Sequence, residues 1–141
     1  MDKLKPFLIE FPKIGDYTQG YISIAQGSQH LPFEIRRVYW TYYTPEEIIR
    51  GRHAHFELEQ ILFAAAGRII VRTEDIDGSQ NEFILERPNQ GLYIPRLCWR
   101  EMQYTHNAVQ ICLASIEYDE KDYIRSYNQF REVQLEWNGK V

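Results

Sequence analysis

Two histidines lie two residues apart in the stretch IIRGRHAHFELEQILFAAAG, residues 48–67, ahead of a glutamate and an apolar run. If this segment is a strand, His53 and His55 point to the same face, because side chains alternate with a period of two. Imidazoles, with an ordinary pKa of about 6.5, can transfer protons near neutral pH or bind a metal. They can equally be solvated or satisfied within a core. The pair alone therefore leaves three interpretations open.

A glutamate and two glycines stand at defined distances from the pair. Gly51 precedes His53 by two residues, Glu59 follows His55 by four, and Gly67 closes the segment. This pattern approximates the first motif of the cupin barrels, in which His, His and Glu converge inside a small β-barrel. His53, His55 and Glu59 are therefore a candidate metal site of the His-His-carboxylate kind that binds iron.

The second half of a cupin motif is a later strand that carries another histidine. Here the corresponding segment is GLYIPRLCWREM, residues 91–102, and aligning its Gly and Pro places Arg100 where that histidine would stand. A guanidinium stays protonated and has no lone pair for a metal, so the substitution favours a site without metal. Proton transfer becomes the leading interpretation: one imidazole acts at carbon, its neighbour serves adjacent oxygens, and Arg100 holds or polarises an oxygen. The remaining histidines, His30 and His106, lie in predicted loops and are interpreted as surface residues.

The elements that must position these residues are short strands. Runs rich in Val, Ile, Tyr and Phe recur about every ten residues between turn signals, which favours an all-β sandwich or barrel. The predicted strands cover residues 5–11, 21–25, 34–43, 51–56, 59–65, 68–74, 81–85, 91–94 and 109–115. From residue 119 an acidic start and apolar residues at helical spacing predict one short terminal helix. We expect a single domain over residues 1–141.

Composition narrows the partners. The formal charge of −4 comes from interspersed charges without a basic block, so no nucleic acid is expected. No apolar stretch approaches the ~20 residues of a membrane span, so no membrane is expected either. Cys98 and Cys112 each lie in an apolar segment and are predicted to be reduced and buried, as in a cytoplasmic protein.

Four segments together resemble one family. LPFEIRRVYW, RGRHAHFELEQ, GLYIPRLCWREM and LASIEYDEKDYIRSYNQF are similar, in order and spacing, to the sugar 3,4-ketoisomerases of bacterial deoxysugar pathways, the WxcM-like group. The resemblance covers residues 20–130 and implies a cupin barrel of the RmlC-like jelly-roll type. It also implies a homodimer that exchanges β-strands, and a thymidine diphosphate-linked 4-keto-6-deoxyglucose whose carbonyl moves from C4 to C3 without metal or other cofactor. The product would supply 3-amino-3,6-dideoxy sugars of surface glycans such as lipopolysaccharide O-antigen.

The resemblance also implies roles for individual residues. His53 is expected to be the base at carbon, and His55 to move protons between the two oxygens with help from Tyr39. Three further residues stand at family positions that can hold a diphosphate: Arg37, Arg50 and Gln60. Trp99 is expected to pack against the sugar or the barrel wall. The segment YDEKDYIRSYNQF is expected to serve packing and dimer formation rather than catalysis.

Two positions bear on the product. Arginine at position 100 goes with the family members that give the gluco 3-keto sugar, whereas histidine goes with the galacto group. Gln19 stands where the two groups carry Tyr or Arg. The gluco product is therefore the prediction. The alternatives are a metal-dependent cupin enzyme using His53, His55 and Glu59, or a non-catalytic sugar-binding cupin.

Overall fold

The structure, a computed structural model, describes residues 4–27 and 30–139. Within these residues the chain forms twelve short strands, a 3-10 turn at Glu120–Asp122 and one helix, α1, at Tyr127–Gly139. The strands are β1 Phe7–Glu10, β2 Lys13–Asp16, β3 Gly20–Ser23, β4 Arg37–Tyr42, β5 Ile49–His55, β6 Gln60–Ala66, β7 Ile69–Glu74, β8 Gln80–Leu85, β9 Gln90–Ile94, β10 Trp99–Tyr104, β11 Val109–Ala114 and β12 Tyr123–Ile124. The all-β prediction with a short terminal helix is confirmed.

Two five-stranded antiparallel sheets form the body of the fold. The first has the order β1-β9-β6-β11-β4 and the second β12-β5-β10-β7-β8, while β2 and β3 form a separate hairpin. The main core lies between the two sheets and takes residues from both, among them Leu62 and Leu92 from the first sheet and Val71 and Met102 from the second. Side chains that point inward from either sheet therefore meet in one interior.

Helix α1 covers the outer face of the second sheet. Phe130 and Ile124 are fully buried there in a cluster with Trp99. The buried carboxylate of Glu74 accepts hydrogen bonds from the Tyr127 hydroxyl (2.7 Å) and the Gln134 amide (2.8 Å). These contacts fix the chain end against the sheet.

The predicted start of the helix at residue 119 is wrong. Residues 119–122 instead form a capped 3-10 turn, in which the Asp119 side chain accepts a hydrogen bond from the Lys121 backbone. Tyr123 and Ile124 then pair with His55 and Ala54 as an edge strand. Pairing with β5 gives the backbone N–H and C=O groups of this segment hydrogen-bond partners and buries Ile124. These gains outweigh the preference for a helix that the spacing of the apolar residues indicates.

Strand β10 was not predicted as a separate strand. Its sequence WREMQY has no regular alternation of polar and apolar residues, because Arg100 and Glu101 are adjacent charges, and Arg100 points inward and is fully buried. Strands β2 and β12 were also missed. Both predicted buried cysteines, Cys98 and Cys112, are buried and unpaired. No described helix has the length and apolar character that a membrane crossing requires.

A bulge in β5 decides which residues of that strand face inward. Arg50 pairs with Met102, both Gly51 and Arg52 face Glu101, and His53 then pairs with Arg100. Gly51 and Arg52 have positive φ angles of 85° and 55°, the left-handed conformation that such an extra residue requires. A Cβ at Gly51 would lie 2.9 Å from a backbone oxygen, so glycine also fits the space.

Candidate active site

The two histidines lie side by side in the interior. The rings of His53 and His55 are 4.8 Å apart between centroids and meet edge to face. His53 stands opposite Arg100 in the β5–β10 ladder. Cross-strand partners share a face, and Arg100 lies two residues before the core residue Met102. The period of two therefore brings both imidazoles and the guanidinium to one interior surface.

Arg100 is fully buried and is held by neutral oxygens. Its Nε and Nη2 donate to the Cys98 carbonyl at 3.1 and 2.9 Å, and its Nη1 donates to the Gln60 side-chain oxygen. The Gln60 amide in turn donates to the Tyr39 hydroxyl at 2.9 Å. This chain of hydrogen bonds joins residues from β10, β6 and β4, and so from both sheets. A buried cation whose partners are neutral favours a ligand or intermediate with negative charge.

The histidines are held neutral. Burial, followed by the charge of Arg100, lowers the pKa of His53 to about 3, and the same two causes lower the pKa of His55. Burial raises the pKa of the Tyr39 phenol, so it stays protonated. At neutral pH the interior therefore offers two unprotonated imidazole nitrogens that can accept protons and one hydroxyl that can donate one.

Two residues of the tail join the histidines, and sequence reasoning had assigned that tail to packing. The Tyr123 ring lies 5.1 Å from the ring of His53 and 4.3 Å from that of His55, between centroids. One carboxylate oxygen of Asp122 lies 3.2 Å from His55 Nδ1. No local pattern in the sequence points to them, because strand β12 is only two residues long and shows no periodicity.

Arg37 and Arg50 both lie toward this interior. Arg37 follows the alternation of β4, in which it and Tyr39 are half-buried while Val38 is exposed. Its guanidinium lies 5.4 Å from the Tyr39 ring and 5.6 Å from that of Tyr118, and its Nε has no hydrogen-bond partner among the described residues. Arg50 is exposed, but its ladder partner is the core residue Met102, so the bulge turns it to the same face as His53.

Two expected site residues, Trp99 and Gln19, lie elsewhere. The Trp99 side chain lies on the face of β10 opposite to that of Arg100. It packs on Tyr127 and Phe130 of α1, at 5.3 and 5.7 Å between ring centroids. Of the two packing partners expected for it, the sugar and the barrel wall, the structure supports only the second. Trp99 borders an outer cleft of about 740 Å³. No histidine lines this cleft, so we place the chemistry in the interior instead. Gln19 is exposed in the turn between β2 and β3.

Glu59 faces away from the histidines. Its carboxylate accepts a hydrogen bond of 2.5 Å from the Tyr93 hydroxyl. Tyr93 belongs to a second apolar cluster, which lies on the outer face of the first sheet. The proposed His53, His55 and Glu59 metal site is therefore wrong as a set, because Glu59 adjoins the inward-facing Gln60 and must point the other way. Over residues 4–27 and 30–139, no three His, Cys, Asp or Glu side chains group closely enough to hold a metal ion.

The two packed sheets form a small β-barrel whose interior holds His53, His55 and Arg100 together. Residues 4–135 match the family model described as FdtA: WxcM-like, C-terminal. The chain therefore belongs to the FdtA family of WxcM-like proteins.

Individual relatives agree with this family. The chain is 39% identical over 137 residues to the TDP-4-oxo-6-deoxy-alpha-D-glucose-3,4-oxoisomerase of Aneurinibacillus thermoaerophilus, covering 94% of this chain and 97% of the relative. It is similar to the crystal structure of QdtA, a sugar 3,4-ketoisomerase from Thermoanaerobacterium thermosaccharolyticum in complex with TDP, with a TM-score of 0.87, 36% identity and coverage of 94% and 96%. The RmlC epimerase of Mycobacterium tuberculosis shares the fold, with a TM-score of 0.72 and 16% identity over 87% of this chain and 69% of that one. The predicted RmlC-like cupin fold is confirmed.

Proposed function

We propose that this chain moves the carbonyl of TDP-4-keto-6-deoxy-D-glucose from C4 to C3, through an enediol, and releases TDP-3-keto-6-deoxy-D-glucose. Its class is that of the sugar-nucleotide 3,4-ketoisomerases. The observation that carries the proposal is the pair of neutral imidazoles, His53 and His55, on one strand face beside the buried cation of Arg100.

The reaction requires one proton to leave C3 and one to arrive at C4. The C4 ketone acidifies the C3 hydrogen, so a neutral imidazole can remove it, and we assign this step to His53. The electrons of the broken C–H bond form the C3–C4 double bond of an enediolate, and its charge on oxygen is stabilised by Arg100. A proton then passes from the C3 oxygen to the C4 oxygen, which we assign to His55 with the phenol of Tyr39. Reprotonation at C4 restores a ketone, now at C3.

The nucleotide end needs cations. We assign the diphosphate to Arg37, whose Nε has no hydrogen-bond partner among the described residues, and to the exposed Arg50. A diphosphate accepts charge-assisted hydrogen bonds from guanidinium groups. Gln60 already joins Arg100 to Tyr39, so we assign it to orienting these two groups rather than to the diphosphate.

We propose the gluco product because Arg100 matches the family members that give it, and the configuration depends on which face of the enediol receives the proton at C4. Three of the five N–H groups of Arg100 donate to Cys98 and Gln60, which leaves two to hold a substrate oxygen. A guanidinium stays protonated, so Arg100 is a poor proton donor. In a gluco ring H3 and H4 lie on opposite faces, so return of the proton by His53 to its own face would give the galacto sugar. The gluco product requires protonation of C4 from the face opposite His53, and we assign that proton to solvent. A 3-keto sugar of this kind is a substrate for an aminotransferase that makes 3-amino-3,6-dideoxy sugars. We place the reaction in the cytoplasm, where buried thiols such as Cys112 stay reduced.

We also propose a homodimer that exchanges strands. The β2–β3 hairpin is exposed along its whole length, and its Ile14 and Ile22 are 53% and 66% exposed. On β4, Trp40 is 62% exposed on the outer face. Apolar surface of this extent on an edge strand and a projecting hairpin favours a partner subunit. Gln19, in the turn of that hairpin, then contacts substrate only if the hairpin lies against the partner.

Incubation with the TDP-linked 4-keto sugar in deuterated water tests the function. The expected result is NMR signals of a 3-keto product with deuterium at C4, and deuterium at C3 in returned substrate. Tight binding of the sugar nucleotide without any exchange would contradict the proposal and identify a non-catalytic sugar-binding cupin.

A further inference from the structure

Asp122 is a buried carboxylate in a fixed position beside His55. Its two oxygens accept hydrogen bonds from the backbone N–H groups of Glu57 and Leu58, at 2.8 and 3.1 Å, and its side chain is only 7% exposed. The oxygen that accepts from Leu58 lies 3.2 Å from His55 Nδ1. The backbone thus sets the place of the carboxylate independently of the imidazole.

The imidazole of His55 is equally constrained. Its strand partner is Tyr123, the residue that follows Asp122, and the Tyr123 ring packs on it at 4.3 Å between centroids. Neither ring nitrogen of His55 has a hydrogen bond of good geometry among the described residues, although the ring is 99% buried. Catalytic hydrogen bonds are often poorly aligned in a free enzyme and tighten when substrate binds. The 3.2 Å separation already places Nδ1 within hydrogen-bond distance of the carboxylate.

We propose that Asp122 is a positioning residue, which accepts the Nδ1 hydrogen of His55 and so fixes this histidine in the tautomer whose Nε2 is unprotonated. A neutral imidazole has one donor nitrogen and one acceptor nitrogen, and an ionised carboxylate only accepts. The proton must therefore reside on Nδ1, and Nε2 is left with a lone pair for the oxygens of the substrate. The catalytic consequence rests on the proposed function of His55, whereas the tautomer itself does not.

Without this carboxylate the other tautomer is expected. Nε2–H is the commoner form of a free neutral imidazole, and in that form the only unprotonated nitrogen would face the tail rather than the substrate. Arg100, Arg37 and Arg125 all disfavour a proton on His55, so Asp122 is also the adjacent charge that favours the imidazolium formed in transit.

The direct test is NMR of the full chain with ¹⁵N-labelled imidazoles, in which His55 is assigned by comparison with His55→Gln. The expected wild-type spectrum has the hydrogen on Nδ1 and an unprotonated Nε2. A wild-type His55 with its hydrogen on Nε2 would overturn the proposal. This measurement needs no substrate, so it decides the tautomer even if the ketoisomerase activity is not found.

The variants Asp122→Asn and Asp119→Asn connect the tautomer to turnover. Asp119 is the matched control, because its exposed carboxylate caps the same short turn without reaching the histidines. Asp122→Asn should move the hydrogen of His55 to Nε2 and lower kcat by about 10²- to 10⁴-fold, as expected when a histidine is held in the wrong tautomer. Binding of TDP should stay unchanged, and the control should match wild type in all three measurements. An Asp122→Asn protein with the Nδ1–H tautomer and unchanged kcat would refute the role, and if that variant does not fold, the wild-type spectrum still decides.

Discussion

Replacing Arg100 with methionine separates the two effects that we assign to its charge. The change removes three hydrogen-bonded donor nitrogens from a fully buried site and leaves the Gln60 side-chain oxygen and the Cys98 carbonyl without their partner. Each unsatisfied buried acceptor costs about 1–3 kcal/mol. Exchange of a buried charge for an apolar side chain of similar volume returns about 1–4 kcal/mol. We therefore expect a folded variant whose free energy of unfolding lies between about 5 kcal/mol below and about 2 kcal/mol above that of the wild type.

The catalytic effect should be larger than the effect on stability. If Arg100 stabilises the enediolate oxygen, its removal should lower kcat by about 10²- to 10³-fold, or about 2.7–4 kcal/mol of transition-state stabilisation. Binding of TDP, which we assign to Arg37 and Arg50, should change little. The loss should therefore appear in kcat rather than in the affinity for TDP.

The pH profile gives a second, independent reading. The base His53 must be neutral, so kcat/KM falls as the pH drops through its pKa, which burial and Arg100 hold at about 3 in the wild type. The wild-type profile should therefore be flat on its acid side down to pH 5. Methionine removes the charge but keeps the burial, which is the larger cause. The acid limb of Arg100→Met should move upward yet stay below about 6.5, the ordinary histidine value.

Initial rates measured by NMR between pH 3 and 9 provide the assay, and Arg72→Met is the control. Arg72 lies on the outer side of the second sheet, where it pairs with Glu82 at 3.1 Å, and an exposed pair of this kind contributes only about 0–1 kcal/mol. If Arg100→Met keeps the wild-type kcat and the wild-type acid limb, Arg100 neither stabilises an oxygen nor lowers the pKa of His53, and our mechanism is wrong.

Four further predictions concern the base, the cofactor, the assembly and the product. His53→Asn should fold and bind TDP but lose about 10²- to 10⁴-fold in kcat, and exchange of the C3 hydrogen at the wild-type rate would reassign the base. Dialysis against a chelator should leave the rate unchanged, and loss that iron, manganese or zinc restores would favour a metal enzyme. Light scattering at micromolar concentration should give the mass of two chains, with Ile22→Asp moving it toward one chain and Ile84→Asp, an exposed control, leaving it unchanged; a single-chain mass for the wild type would exclude the dimer. The product trapped with a 3-aminotransferase should show a large H3–H4 coupling, and Arg100→His should add the isomer with the small coupling, whereas a small coupling from the wild type would identify the galacto product.

The period of two placed the histidine pair on one face from sequence alone, and the same rule bears on two other residues considered for the site. The expected site included the neighbours Trp99 and Arg100, and the metal alternative used Glu59 beside Gln60. Adjacent residues of one strand cannot both face the interior, so one member of each pair had to point outward. In the structure Trp99 packs against helix α1, and Glu59 accepts a hydrogen bond from Tyr93. Which member turns inward depends on the packing of whole sheets, which a single strand does not reveal.

Other features depend on contacts that no local pattern encodes. Arg50 and His53 are three residues apart and would lie on opposite faces of a regular strand, and only the extra residue at Arg52 brings them to the same face. Asp122 and Tyr123 reach the histidines through the two-residue strand β12, which exists because β5 offers it an edge. The bulge in β5 and the strand β12 both depend on long-range strand pairing rather than on the local propensity of their residues.

The electrostatics of the interior favour an enediolate, the same intermediate that the proposed mechanism requires. Arg100 is buried among neutral oxygens, and within residues 4–27 and 30–139 the Nε of Arg37 has no hydrogen-bond partner. Both guanidinium groups lower the pKa of His55. In the free protein this arrangement is costly, since a buried charge without a counter-charge is poorly compensated. It becomes favourable when an enediolate develops negative charge beside the guanidinium, because a preorganised donor then needs no rearrangement. The same negative charge should raise the pKa of the histidines as they take up protons, so that imidazoles that are weak bases in the free enzyme become adequate ones at the moment of transfer.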